Sequence, residues 1–202
     1  MILPVVVYGD PVLRKVAVNI SPDYENLDSL IADMFETMYN SKGVGIAAPQ
    51  IGKSIRLFII DASPFAERDD DETPEEEKMS EAEVNFLENF KKVFINPKII
   101  LEEGEEWKFN EGCLSIPKIR EDVSRKQKIT LEYFDENFNK KSEKFTGIAA
   151  RIIQHEYDHI EGKLFIDRIS PLRRKLLSGK LNDISKGKIN TDYKIKVYQA
   201  KK

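Results

Sequence analysis

The stretch TGIAARIIQHEYDH, residues 146–159, constrains this chain more than any other. Read as a helix, its first turns are apolar nearly all round, which marks a helix enclosed by protein rather than one lying on a surface. The rest of the chain must therefore supply a shell around it. Ile148, Ile152, His155 and His159 stand at i, i+4, i+7 and i+11, on one stripe, and Gly162 is placed to end the helix. These two histidines are the only ones in the chain.

In HEYDH the histidines are four residues apart, so on a helix they sit about 6 Å apart along the axis and both rings can converge on one ion. Glu156 projects beside that ion, where a carboxylate can take a proton from water. Two imidazoles and a carboxylate on a buried stripe need partners to offset their desolvation. Two histidines leave a metal under-ligated, so the third ligand decides the class. The run HEYDHIEGKLF follows the metzincin protease pattern HExxHxxGxxH until its last position, where Phe165 stands and cannot ligate. A thermolysin-like site would need a later glutamate, and none follows Glu161. Glu161 itself comes two residues after His159 and points away from the stripe. There remains the single cysteine, Cys113, in NEGCLSIP. A soft thiolate there completes a two-His, one-Cys site with a fourth position open.

One cysteine excludes an internal disulfide, which points to a cytoplasmic setting. The opening MILPVVVYGDP lacks a basic leader and breaks at Gly9, Asp10 and Pro11, so no signal peptide is expected, and no apolar run approaches the roughly 20 residues of a membrane span. At 202 residues, 41% of them hydrophobic, a single domain over 1–202 is expected. The net charge of −3 argues against a surface built for DNA, but charge is unevenly placed. Residues 67–83 hold ten acids and two bases, whereas residues 171–202 hold ten bases and two acids.

Apolar spacing predicts a helix within residues 25–43, followed by a tight loop at VGIAAPQIGKS and a strand at RLFIID. Residues 62–90 read as an acidic surface insertion, its first half a solvated and partly mobile loop and its second half an exposed helix. VFINPKII reads as a strand, KITLEYFD and KSEKFTG as a hairpin of an antiparallel sheet, PLRRKLLSGKLNDISKGK as one basic amphipathic helix and DYKIKVY as a terminal strand.

Three motifs, in this order and spacing, resemble those of the peptide deformylases: GVGIAAPQ at 43–50, EGCLSIP at 111–117 and QHEYDH at 154–159. YGDPVLRKVA near the start is also similar to that family's opening, and the resemblance spans roughly residues 2–172. It implies an α+β fold with antiparallel sheets packed around a central buried helix that carries HExxH, here with a basic C-terminal extension. It implies a metal held by Cys113, His155 and His159, with Fe(II) as the cellular ion and Zn(II), Ni(II) or Co(II) as substitutes. Glu156 would be the general base and then the general acid, and Gln50 and the backbone N–H of Leu114 would stabilise the oxyanion. Val44, Gly45, Glu111, Arg120 and Ile152, beside His155, would border the pocket and cleft for substrate. The activity implied is removal of the N-terminal formyl group from formyl-methionyl nascent peptides, with release of formate. A zincin-like metallopeptidase and a non-catalytic metal-binding module of the same fold are the competing readings. For the basic tail, the choice lies between a solvated face and contact with ribosomal RNA.

Overall fold

The computed structural model describes residues 1–66 and 79–199. In chain order the elements are β1 (Val5–Val6), α1 (Leu27–Asn40), β2 (Gly45–Ala47), β3 (Leu57–Asp61), α2 (Ser63–Ala66), α3 (Glu81–Glu88), β4 (Lys91–Cys113), β5 (Ile116–Phe134), β6 (Lys140–Thr146), α4 (Gly147–Ile160), α5 (Pro171–Leu176), α6 (Ser178–Ser185) and β7 (Ile195–Lys196). Strands β2 to β6 form a five-stranded antiparallel sheet in sequence order. β1 and β7 form a separate two-stranded sheet, and it is parallel. Among the described residues, no helix is long and apolar enough to cross a membrane.

The run LFIID of β3 has no polar face because both faces of the sheet are covered there. Successive side chains of a strand point to opposite sides. Phe58 and Ile60 join a cluster with Ala149, Ala150, Ile152 and Ile153 of α4. Leu57 and Ile59 join another with Leu30, Ile31, Met34 and Met38 of α1. The helix expected at 25–43 is thus the cover of one face, and the helix of HEYDH is the cover of the other.

VFINPKII and KITLEYFD prove to be pieces of much longer strands, β4 of 23 residues and β5 of 19. Their outer reach is exposed and charged, with Glu103 opposite Lys128 and Glu106 opposite Lys126, so the apolar alternation that betrays a strand is missing there. The pairing slips in four places. One slip follows Asn96, which has φ 50 and precedes a proline with no N–H to give the ladder; another surrounds Gly104, with φ 82. Such bulges bend a strand and increase its twist. The basic amphipathic run also differs from the expectation of one helix. It breaks at Leu177, which turns inward with Leu181 and Ile184 onto Leu13 and Phe165. Of the expected insertion, α3 is the foreseen helix, capped by Ser80 and Glu83. The first half, expected from residue 62 as a solvated loop, begins instead as α2, with Ala62, Phe65 and Ala66 buried in the cluster that α4 covers, and residues 67 to 78 lie outside the described residues.

Buried charges tie α4 to the β4–β5 hairpin. Arg125, in β5, donates from Nε and Nη2 to the Glu111 carboxylate at 2.7 and 2.9 Å and from Nη1 to Asp158 at 2.7 Å. Arg151 donates to the same Glu111 at 2.9 Å, and Arg168 makes two bonds of 2.6 Å to Asp158. Desolvation alone would raise both carboxyls, but the arginines and, at Glu111, His155 hold them below the usual range.

Two outcomes follow. A carboxyl held below its unfolded value stabilises the fold above that value, about 4 for aspartate, and the contribution fades as pH falls through the folded value. Asp158→Asn should lower stability at pH 7 by about 3 kcal/mol, because it leaves buried arginine charge uncompensated. Its unfolding midpoint should then fall less steeply below pH 4 than that of the unsubstituted protein; equal slopes in a pH series of thermal melts would contradict this. Met34→Ala, at a side chain with 0% exposure, should cost about 2–4 kcal/mol in urea unfolding.

Candidate metal centre

Cys113 is the last residue of β4, paired with Ile116 across a two-residue loop of Leu114 and Ser115. α4 packs against β5 and delivers His155 and His159 to that loop. The candidate ligand atoms of Cys113, His155 and His159 all lie within 4.8 Å of one another. Cys113 Sγ is 3.2 Å from His159 Nε2, and the two imidazole rings stand 5.2 Å apart, edge to face. Cys113 and His155 are partly exposed and His159 is buried. One thiolate and two imidazoles are a donor set suited to zinc or ferrous iron, and the facing atoms are close enough to share one ion. The residues present therefore fit a metal. Phe165, at the position where a metzincin would have its third histidine, stacks on His155 with ring centroids 6.2 Å apart.

The protonation states suit that use. Desolvation would raise the Cys113 thiol, yet the charge of His159 and hydrogen bonds with both histidines outweigh it and bring the thiol down to about 5, which makes it a thiolate at neutral pH. His155 Nδ1 lies 2.9 Å from Glu111 Oε2. Because an ionised carboxylate can only accept, Nδ1 carries a proton, which leaves Nε2 as the nitrogen turned away from Glu111 and available to a metal once it loses its own proton. His155 itself is raised well above its usual value: desolvation lowers it, but Cys113 and Glu111 together prevail.

Glu156 is 4% exposed, and its Oε2 has no hydrogen-bond partner among the described residues. Burial pushes its carboxyl up to about 7, against the opposing charges of His155 and His159. A carboxyl of that strength can both take and give a proton near neutrality. Space for it comes from Gly45: a Cβ there would lie 2.5 Å from Glu156 Oε1 and 2.9 Å from its Cδ. Gly43 does the same for Leu114, whose Cδ1 would be 2.9 Å from an added Cβ. Gln50, on a 3-10 turn, accepts from Ala47 N through Oε1 at 2.8 Å. That bond fixes the amide so that Nε2 is the group turned to Ser115 Oγ, 3.3 Å away, and Cys113 Sγ, 3.5 Å away.

These groups open onto a cavity of about 410 Å³. Val44, Gly45, Glu111, Arg120 and Ile152 all line it, with Gln50, Leu114 and two of the three candidate ligands, Cys113 and His155. Glu111 lines it while 4% exposed, its carboxylate bonded to Arg125, Arg151 and His155. Arg120 is exposed, its Nε donating to Asn110 Oδ1 at 2.8 Å.

Sequence reasoning missed three parts of this site. Arg125 had a signal: it shares the inward parity of Glu121 and Val123 along β5, and an arginine in a core-facing position demands a carboxylate. Phe65 and Phe109, ring centroids 6.1 Å apart, line one end of the cavity and come from segments with no shared motif. Tyr193, from the tail, also lines it and donates its hydroxyl to Leu114 O at 2.8 Å. Nothing in DYKIKVY marks that contact.

The model of the polypeptide deformylase family matches residues 2–175. A peptide deformylase of Flavobacterium psychrophilum is 56% identical over 202 residues, covering 100% of this chain and 100% of its own. One from Cytophaga hutchinsonii is 46% identical over 196 residues, 97% of each chain. Among solved structures, a peptide deformylase from Legionella pneumophila superposes with a TM-score of 0.74 at 36% identity, covering 93% of this chain and 98% of the other. That from Thermotoga maritima gives 0.70 at 37%, covering 85% and 99%. A hairpin cysteine beside a helical HEYDH, a cavity walled by the GVGIAAPQ loop, and likeness along essentially the whole length converge on one conclusion: the chain belongs to the polypeptide deformylase family.

Proposed function

We propose that this protein removes the N-terminal formyl group from formyl-methionyl nascent peptides, with release of formate, as a single catalytic domain in the cytoplasm. The observation that carries the reading is Glu156: a carboxyl with an unpartnered oxygen, raised to about 7, beside three convergent metal-binding groups at the cavity. A purely structural metal site has no use for it. A peptidase of the zincin type is disfavoured because Phe165 packs on His155 where a metzincin has its third histidine, and no glutamate follows Glu161 to serve as a thermolysin-like ligand.

Cys113, His155 and His159 would hold one divalent ion, with Fe(II) proposed as the cellular ion and Zn(II), Ni(II) or Co(II) as replacements. When bound, such an ion supplies Lewis acidity toward a carbonyl oxygen and toward water. The chain's own groups do the rest. Glu111 holds the tautomer of His155 through Nδ1. Glu156 accepts a proton from the attacking water and delivers it to the departing amine. Gln50 Nε2 and the N–H of Leu114 are fixed neutral donors for charge that appears on the formyl oxygen only in the transition state. Val44 and Ile152 give the methionine side chain an apolar wall, and Arg120 borders the path of the following backbone.

The basic tail is proposed as a ribosome-facing surface, supported by the exposure of Lys175, Lys180, Lys186 and Lys188. Leu181 and Ile184 of the same segment are buried, so replacing these lysines tests the idea more cleanly than deletion. Loss of salt-sensitive ribosome binding is the expected result.

Formate release from a formyl-Met peptide, by protein purified without oxygen and assayed for metal, tests the activity. Glu156→Gln should keep its metal and lose at least about 100-fold in kcat. Metal-loaded unsubstituted protein that releases no formate would sink the reading. A chelator should abolish release and added Fe(II) restore it. Gly45→Ala, which crowds Glu156 without touching a ligand, should lower kcat by about 100-fold at unchanged metal content; wild-type turnover would mean that Glu156 tolerates displacement.

A further inference from the structure

The start of the chain and its late tail are joined beside the catalytic loop. β1 pairs with β7, Val5 with Ile195 and Val6 with Lys196. Val5 N–H donates to Lys194 O at 2.8 Å and Val7 N–H to Lys196 O at 3.2 Å. This pairing lays residues 190–193 along the cavity, where all four take part in its lining. A local bond from Thr191 Oγ1 to Tyr193 O, 2.8 Å, shapes the approach.

The two-residue loop of Leu114 and Ser115 is then gripped from both ends of the chain. Tyr8 N–H donates to Ser115 O at 2.8 Å, and Tyr193 Oη donates to Leu114 O at 2.8 Å. Gln50 holds the Ser115 hydroxyl from a third side. The Leu114 carbonyl shares its planar peptide with the Ser115 N–H, and only the φ and ψ of Leu114 itself separate that plane from the Leu114 N–H, so in a two-residue loop tied at Ser115 as well the anchor acts on the Leu114 N–H through those two torsions. Tyr193 is half-buried and packs with Leu114 against the α1 cluster, so the contact is not a surface accident.

We propose that Tyr193 is a positioning residue for deformylation. Acting through Leu114, it fixes the direction of the loop N–H that faces the reacting oxygen, while residues 190–192 wall the cleft beyond the methionine pocket. The proposal rests on the deformylase reading for its catalytic part. A donor misaimed by a freed loop loses more stabilisation in the transition state than in the ground state, so turnover should suffer more than substrate binding.

Tyr193→Phe keeps the ring and removes only the hydroxyl. Formate release should show kcat lower by about fivefold with KM within twofold, at unchanged metal content and unfolding midpoint. Amide hydrogen exchange at Leu114 and Ser115 should be faster than in the unsubstituted protein. Wild-type kcat together with unchanged exchange would overturn the proposal, as would a loss of activity that tracks lost metal or lost stability. If the unsubstituted, metal-loaded protein released no formate, the deformylase reading would fall by itself; the exchange rates would still decide whether Tyr193 holds the loop.

Discussion

A carboxylate that is buried and yet ionised is costly, and Glu111 is both. It survives because Arg125 and Arg151 donate to it and His155 completes the shell. The dependence runs the other way too. Without Glu111, Arg151 would lose the carboxylate it donates to, Arg125 would keep only Asp158, and the ring of His155 would be free to turn its other nitrogen toward Cys113 and His159. Since Glu111 belongs to β4, Arg125 to β5 and Arg151 to α4, one ionic cluster fixes both the packing of helix on hairpin and the orientation of His155, a candidate ligand. Stability and chemistry are therefore not separable at this point, and Asp158 with Arg168 extends the same lattice to the chain beyond the helix.

Much of the site was legible because its residues are chemically rare in this chain. Two histidines and one cysteine leave few ways to bind a metal, and the helical spacing of His155 and His159 with Glu156 between them states the geometry outright. The loop GVGIAAPQ was legible only as a motif. Its physical content, a glycine that makes room for Glu156 and another for Leu114, appears once the two segments are brought together. The faces of β3 could be anticipated in kind, since an unbroken apolar run implies cover on both sides, though not which helix would cover which face.

What escaped reading were features set by distant partners. The outer halves of β4 and β5 lack apolar alternation, since cross-strand charge pairs rather than a core define them there. The break at Leu177 arises because α6 must turn its own apolar residues to Leu13 and Phe165, a demand invisible in the basic run itself. Tyr193 is an ordinary aromatic in a basic tail until β7 pairs with β1. In each case local propensity permits the outcome, but a contact far along the sequence selects it.

The β1–β7 pair has a consequence for the order in which the molecule is completed. During synthesis β1, the hairpin and α4 all leave the ribosome before β7, so Cys113, His155, His159 and Glu156 can come together while one wall of the cavity is still missing. The short pair that closes this wall is also held by few backbone bonds, which places it among the segments able to open without melting the core. The chain thus contains a boundary between a body that holds the candidate metal-binding residues and a short strap that completes one wall of the cavity, so loss of the strap would alter that wall before it unfolded the core.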